Sequence, residues 1–375
     1  MTSQHWVRAG LRSETIEQRY RSVGGFTHGF DYLRLILAVA VVLHHGVVTS
    51  GGPAAENLWL GWNRVYLAPI LLMFFALSGF LVAGSLKRKP QVTVFMTMRA
   101  IRLLPALTVE VLLSALVIGP LMTALPWDEY FSGKSFFTYF LNIVGYVHYH
   151  LPGVFLDNPH ARIVNISLWT VPLELECYLL LILLWWAGIL SHRRWVLSIL
   201  VLGVLASTAV EFYSFNEIHA TGRPLPRALV AAFFSGICLN LFAEKIRLDI
   251  RWALLAVAGM VLATLQYQTA YIAAMFAAFL VVYLGMMHPP KTGFLFRGDY
   301  SYGLYLFAFP IQQTYTQLFP DHRVWYLNAA FTLVFGFVYA AFSWWLVEKP
   351  VLSRKKEIVA WVIRRTQGRK QWGAG

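Results

Sequence analysis

A chain of 375 residues that is 58% hydrophobic and 13% charged, with a mean hydropathy of +0.57, is not an ordinary soluble domain. Such a domain needs about a quarter of its residues charged to clothe its surface. The formal charge of +13 raises the question of a nucleic-acid partner, but its distribution along the chain makes membrane topology the sufficient explanation.

Apolar runs near bilayer length recur at 31–50, 66–86, 104–124, 168–190, 195–211, 227–243, 251–267, 269–287, 299–318 and 326–346. A further run at 136–148 is short for a crossing, and charge bookkeeping decides how it is treated. With the N-terminus cytoplasmic and 136–148 not crossing, the inside segments hold 24 Lys and Arg and the outside segments six, with Arg34 within the bilayer completing the 31. That asymmetry is what the positive-inside rule demands, whereas counting 136–148 as a crossing flips every later loop. The expectation is an all-α integral membrane protein with about ten transmembrane helices and both termini cytoplasmic. A re-entrant or half helix is expected near 136–148. Residues 1–30 form a cytoplasmic segment without a signal-peptide core, 31–348 a single transmembrane domain, and 349–375 a basic tail. The stretch "SRKKEIVAWVIRRTQGRK" reads either as a basic amphipathic helix on anionic lipid or as a solvated tail.

The first run, "FDYLRLILAVAVVLHHG" (30–46), places ionisable groups at both ends of continuous hydrocarbon. At 100° and 1.5 Å per residue, Arg34 and His45 fall about 20° apart and about 16.5 Å apart along the axis, with His44 about 80° to the other side. Asp31, one turn before Arg34, is placed to pair with it. Ionisable groups within a span mark a functional path, and His45 is the histidine on the face of Arg34. Snorkelling to the cytoplasmic surface is the structural alternative for Arg34. The Arg, ten residues, His pattern resembles the first transmembrane helix of the bacterial type 3 membrane acyltransferase family. These are multi-pass inner-membrane O-acyltransferases of cell-surface carbohydrates and some secondary metabolites. The resemblance also selects His45.

"MFFALSGFLVAGSLKRK" (73–89) ends the second run and is similar to a family segment matched by Leu77, Ser78, Gly79 and Phe80. Small residues there serve close helix packing, or Ser78 lines a substrate path. In "FMTMRAIRLLPAL" (95–107), Arg99 and Arg102 share a helical face at the start of the third run. A helix N-terminus with two guanidiniums is an anion site suited to phosphate. The similar RxxRL motif of the family implies an acyl-CoA phosphate site there. Lys87 and Arg88, across the same loop, join that site or are simply topogenic.

"NISLWTVPLELECYLLL" (165–181) carries two carboxylates about 200° apart, Glu174 and Glu176, with Tyr178 on the face of Glu174. The family pattern maps onto Trp169, Thr170, Glu174 and Tyr178. It implies a carboxylate that holds an imidazole's tautomer, against a structural pairing of Glu174 with Arg34 or Arg162. "GDYSYGLYLFAFPIQQ" (298–313) resembles the penultimate family helix at Ser301, Tyr302, Gly303, Tyr305 and Pro310, with Ala308 where many relatives carry His. Glu348 of "LVEKP" reads as structural. Cys177 and Cys238 lie in apolar runs without disulfide or zinc spacing. His148, His150 and His160 fall in the outside loop; the His-x-His of 148–150 lacks the second ligand pair of a metal site and reads as a surface feature, with contact of this loop to an acceptor as the alternative. No metal site is expected.

The resemblance implies an acyl-CoA-dependent O-acetyltransferase of the bacterial inner membrane with no bound cofactor. Its donor is acetyl-CoA and its acceptor a carbohydrate or glycolipid hydroxyl. His45, Glu174 and Arg34 are the catalytic set, with His45 as general base or acyl carrier. Arg99, Arg102, Arg88 and Lys87 hold the acyl-CoA, and Ser78, Trp169, Tyr178 and Tyr302 line the substrate. The alternative is a proton-coupled transporter or flippase that uses Arg34, His45 and Glu174 as a relay. The paired, interrupted spans typical of such transporters are not visible in the sequence.

Overall fold

The computed structural model describes residues 14–59, 61–214, 225–291, 293 and 297–372, so Arg8, Arg12 and Arg223 of the charge count lie outside the described residues. The described residues are predominantly helical. The main helices are α1 (Gly29–Gly51), α2 (Arg64–Arg88), α3 (Val92–Leu113), α4 (Thr170–Trp186) and α5 (Arg193–Tyr213). They continue with α6 (Pro226–Leu241), α7 (Ile250–Thr264), α8 (Ala270–Gly285), α9 (Ser301–Leu318), α10 (Trp325–Ser343) and α11 (Lys355–Trp372). In lipid a spanning segment must satisfy every backbone group within itself, which is why uninterrupted apolar sequence resolves into helix.

Among the described residues, six helical stretches have the length and composition to cross a membrane: 29–55, 64–88, 92–122, 166–186, 193–213 and 325–353. Helices α6, α7 and α8 are apolar but shorter, 15 to 16 residues, rising about 22–24 Å against a hydrocarbon core of about 30 Å. Residues 136–148 form no crossing helix. They hold the end of a six-residue helix (Lys134–Tyr139) and a 3₁₀ turn (Phe140–Val144) that stops at Gly145 in a left-handed conformation.

The chain divides into two compact units, one of Met1–Leu37, Ala54–Gly84 and Leu173–Phe296, the other of Ala38–Pro53, Ser85–Pro172 and Arg297–Gly375. In the first unit the described part of the N-terminal segment is pinned from Glu14 onward. A two-residue strand, β1 (Glu14–Thr15), pairs antiparallel with β2 (Arg247–Leu248) in the loop between α6 and α7. Thr15 then caps the short helix Ile16–Ser22 through a reciprocal box with Gln18. Helices α2 and α6 cross at glycines. A Cβ on Gly79 would lie 1.9 Å from the Phe233 carbonyl oxygen, and one on Gly236 2.1 Å from that of Ala76. The small-residue segment of the second run is therefore a close-packing site, as glycine at a membrane helix crossing permits.

The second unit is built on α9, α10 and α3. Phe307 and Tyr339 stack at 3.9 Å between α9 and α10. Helix α3 runs on through a π turn (Ser114–Ile118), and α10 through another (Trp344–Glu348). Helix α11 packs along α3, with Ile358, Val359, Val362 and Ile363 half-buried on one stripe, so the basic tail is a docked helix. Within each unit, polar pairings join segments that the charge count places on one side. In the first, Arg193 meets Glu244, Lys291 meets Asp31 at 2.8 Å, and Arg64 Nε donates to the Thr264 carbonyl at 3.0 Å. In the second, Arg102 meets Asp299, and Arg323 donates to the Asp157 carbonyl at 3.1 Å.

Candidate functional site

His45 belongs to the second unit, where the outer half of α1 meets α9 and α10. Its backbone is fixed before its side chain acts. Thr49 Oγ1 donates to the His45 carbonyl at 2.8 Å, and Asn328 Nδ2 of α10 donates to Thr49 Oγ1 at 3.1 Å. On α9, Gln312 Nε2 reaches the Val42 carbonyl at 2.7 Å. The His45 ring stands edge-on to Phe309, centroids 5.3 Å apart, and its Nδ1 is buried without a hydrogen-bond partner. A buried imidazole nitrogen without a hydrogen-bond partner is an exception to the rule that buried polar groups are paired, and it asks for a function. His44 lies beside it at 5.5 Å, ring to ring.

Arg99 and Arg102 lie in the same unit near the start of α3. Their environments differ. Arg102 is ion-paired with Asp299, whose other oxygen accepts from Ser301 Oγ at 2.7 Å, and Glu348 is close enough to interact with the same guanidinium. Arg99 lies over the Phe95 ring at 5.9 Å. Lys87 and Arg88 are exposed at the end of α2. Tyr302 donates to the Leu103 carbonyl at 3.3 Å and so ties α9 to α3 next to Arg102. Seven residues along α9 from Tyr302, about 10.5 Å of helix rise, comes Phe309 and the His45 ring. Trp169 is half-buried, and Thr170 after it shares a hydrogen bond with Tyr305 at 2.8 Å.

The first unit holds the remaining expected residues. Arg34 pairs with Asp31 at 3.8 Å, the i, i+3 partner read from the sequence, and Asp31 also receives Lys291. Tyr178 donates its hydroxyl to Glu174, so the two share a face as the helical spacing requires. Glu176, on the other face, is ion-paired with Arg227 of α6. Ser78 is half-buried beside the Gly79 crossing.

Residues 27–348 match the family described as "Acyltransferase domain". The chain belongs to the type 3 membrane acyltransferase family. It is 28% identical over 346 residues to the "O-acetyl transferase" of Shigella phage Sf6, covering 87% of this chain and 96% of that protein. It is also 27% identical over 376 residues to "Nodulation protein 10" of Rhizobium leguminosarum bv. viciae, covering 90% of this chain and 96% of that one. No solved structure matches the chain.

The acyltransferase places several polar groups that the sequence reading passed over. Glu110 is fully buried in α3. Its Oε1 accepts from Ser114 Oγ at 2.9 Å and from Asn165 Nδ2 at 2.9 Å, with the Tyr139 hydroxyl alongside. Asn165 also donates to the Leu306 carbonyl at 2.7 Å and caps the 3₁₀ turn that carries Trp169. The signal was a lone carboxylate inside an apolar run, "LTVEVLL". Replacing Glu110 by Gln preserves an acceptor oxygen and is expected to be mild. Leu leaves two buried donors unpaired and is expected to cost about 2–3 kcal/mol. Thermal unfolding in detergent micelles distinguishes the two variants, and equal midpoints would remove Glu110 from the scaffold.

Of the His-x-His pair, His148 is half-buried and His150 is exposed; His160 is half-buried as well. His160 stands edge-on to Phe309 at 5.9 Å, the ring that His45 also meets. Among the described residues, no group of three or more His, Cys, Asp or Glu is placed to hold a metal ion.

Proposed function

We propose that this acyltransferase moves an acetyl group from cytoplasmic acetyl-CoA to a hydroxyl of a carbohydrate or glycolipid acceptor in the bacterial inner membrane. The observation that carries the reading lies within the second unit. The Arg99 and Arg102 face of α3 and the half-buried His45 imidazole are linked along α9 through Tyr302 and Phe309, about 10.5 Å apart in helix rise. An extended pantetheine arm covers such a span, so a phosphate gripped at one end leaves the thioester at the imidazole. Arg102 is already engaged by Asp299. Arg99 and Arg102 together form the phosphate grip, with Lys87 and Arg88 exposed beside the loop.

His45 takes the proton of the acceptor hydroxyl, or first carries the acyl group itself. Either role needs a neutral nitrogen within reach of the thioester. Ten crossings with both termini cytoplasmic agree with the one-sided pairings within each unit, although three of the helices are short. Such helices are accommodated by local thinning of the bilayer. The name of the phage relative favours acetyl among acyl groups. Roles for Arg34, Glu174, Ser78, Trp169 and Tyr178 follow the family pattern.

Purified protein in detergent is expected to bind radiolabelled acetyl-CoA, with competition by free CoA and by adenosine 3′,5′-bisphosphate. Competition by the bisphosphate reports the phosphate grip separately from the thioester. Failure of the wild-type protein to bind acetyl-CoA would overturn the donor assignment.

A further inference from the structure

Helix α9 carries a break in its own hydrogen-bond ladder, between the two ends of the donor path. Pro310 lies inside the helix. Proline has no N–H, so the carbonyl four residues earlier, that of Leu306, loses its helical donor. Leu306 and Pro310 are both buried, and a buried backbone carbonyl needs a partner from somewhere.

The donor comes from another segment of the second unit. Asn165 Nδ2 reaches the Leu306 carbonyl at 2.7 Å, and Asn165 is itself fully buried. Its remaining bonds fix the orientation of that amide. Nδ2 also donates to Glu110 Oε1 of α3 at 2.9 Å, and Oδ1 accepts from the Ser167 N–H at 3.0 Å. A primary amide has two N–H donors and one carbonyl oxygen, and all three are used here. Ser114 Oγ, at the first residue of the π turn, donates to the same Glu110 oxygen at 2.9 Å and holds it in place. An aspartate at 165 would set its oxygens against a carboxylate and a carbonyl, both acceptors. The position selects an amide.

What the junction supports is carried by α9. Phe309, immediately before the proline, meets the His45 ring at 5.3 Å. Gln312, two residues after it and fully buried, donates to the Val42 carbonyl of α1 at 2.7 Å, three residues before His45. On the near side of the break, Tyr302 is tied to the Leu103 carbonyl beside Arg102. A helix bends where proline interrupts its ladder. The direction of the stretch that meets His45, relative to the stretch that meets the arginines, therefore depends on how the gap at Leu306 is closed.

Resting on the reading of His45 as the transfer residue, we propose that Asn165 is a positioning residue: its amide supplies the bond that Pro310 withholds, and so fixes Phe309 and Gln312 of α9 against His45. Glu110 acts through it, by orienting the amide. The phosphate grip, at the other end of α9, is outside its influence.

The test uses membranes of the source organism, which carry the endogenous acceptor, with the native copy of the protein deleted and variants supplied in its place. Radiolabelled acetyl-CoA is the probe, and alkali-labile acetyl esters in the membrane fraction are the product. Rates are taken per acetyl-CoA-binding site of each variant, so that loss of folded protein does not count as loss of transfer. Asn165→Leu is expected to lower the limiting rate about 10- to 100-fold, the range for a small misplacement of a reacting group, with KM for acetyl-CoA within about twofold of wild type. Pro310→Ala returns an N–H to the ladder and is the specific control. Adding Asn165→Leu to Pro310→Ala is expected to cost about twofold or less beyond Pro310→Ala alone, because the two changes act on one bond and are not additive. A wild-type rate in Asn165→Leu would overturn the proposal. A loss of the same size in both backgrounds would overturn it too, since Asn165 would then act apart from Pro310. Should Asn165→Leu bind no acetyl-CoA, the double variant decides: binding regained, at the rate of Pro310→Ala, supports the proposal, and binding still absent overturns it. His45→Gln in the same membranes separates the two claims. A wild-type rate there defeats the His45 reading and the inference with it, whereas loss in His45→Gln beside a wild-type rate in Asn165→Leu defeats the inference alone.

Discussion

Replacement of His45 by alanine or glutamine is expected to lower acetyl transfer by about 10²–10⁴-fold, the range for removal of a positioned acid–base group. Glutamine is the sharper variant, because it keeps side-chain volume against Phe309 and a donor near the same position while losing the basic nitrogen. Its unfolding midpoint is expected to match wild type, since the bonds that anchor this turn run through the His45 carbonyl, Thr49 and Asn328 rather than the ring. His44→Ala is expected to retain most activity. It is turned about 100° from His45 around α1, and the ring that meets Phe309 is that of His45. Initial rates of transfer from radiolabelled acetyl-CoA measure all three variants. Wild-type rates in His45→Gln would show that the imidazole does no chemistry.

Loss of the Asp299 carboxylate is expected to be the costliest change at the other end of α3. Arg102 and Asp299 keep 27% and 23% of their side-chain surface exposed. Removing one partner of such a pair leaves a charge poorly solvated, and Asp299→Ala is expected to cost about 3 kcal/mol, the low end for a buried pair because some water still reaches it. A second substitution, Arg102→Met, is expected to return part of that stability, since it removes the stranded charge. Arg99→Ala is expected to weaken acetyl-CoA binding about tenfold, as loss of one charged hydrogen-bonding ligand does. Chemical unfolding in micelles and acetyl-CoA titration together read this split. Wild-type stability of Asp299→Ala would mean that the pair holds nothing.

Much of the fold was legible because the bilayer constrains sequence so strongly. Each of the ten apolar runs coincides with a helix, and the short run at 136–148 forms no crossing, because continuous hydrocarbon in lipid has few other conformations open to it. Contacts within one helix were equally readable. Asp31 pairs with Arg34 at i, i+3, and Tyr178 meets Glu174 at i, i+4, since helical geometry alone fixes those neighbours. The small residues around Gly79 announced a close crossing, and the glycine opposite, Gly236, came from the tertiary structure.

By itself, then, the sequence determined an all-helical membrane protein and the helix faces on which Arg34, His45, Arg99 and Arg102 lie, because these depend on local hydrocarbon content and on a fixed helical period. Only the tertiary structure decided which of those groups are already occupied and which look onto one another. Arg102 is engaged by Asp299, 197 residues away, while Glu110 is held by Asn165 and the His160 carbonyl by Gln313. Nothing in local composition records such pairings, because a hydrogen bond between distant segments depends on how helices pack, and helix packing is a property of the whole assembly.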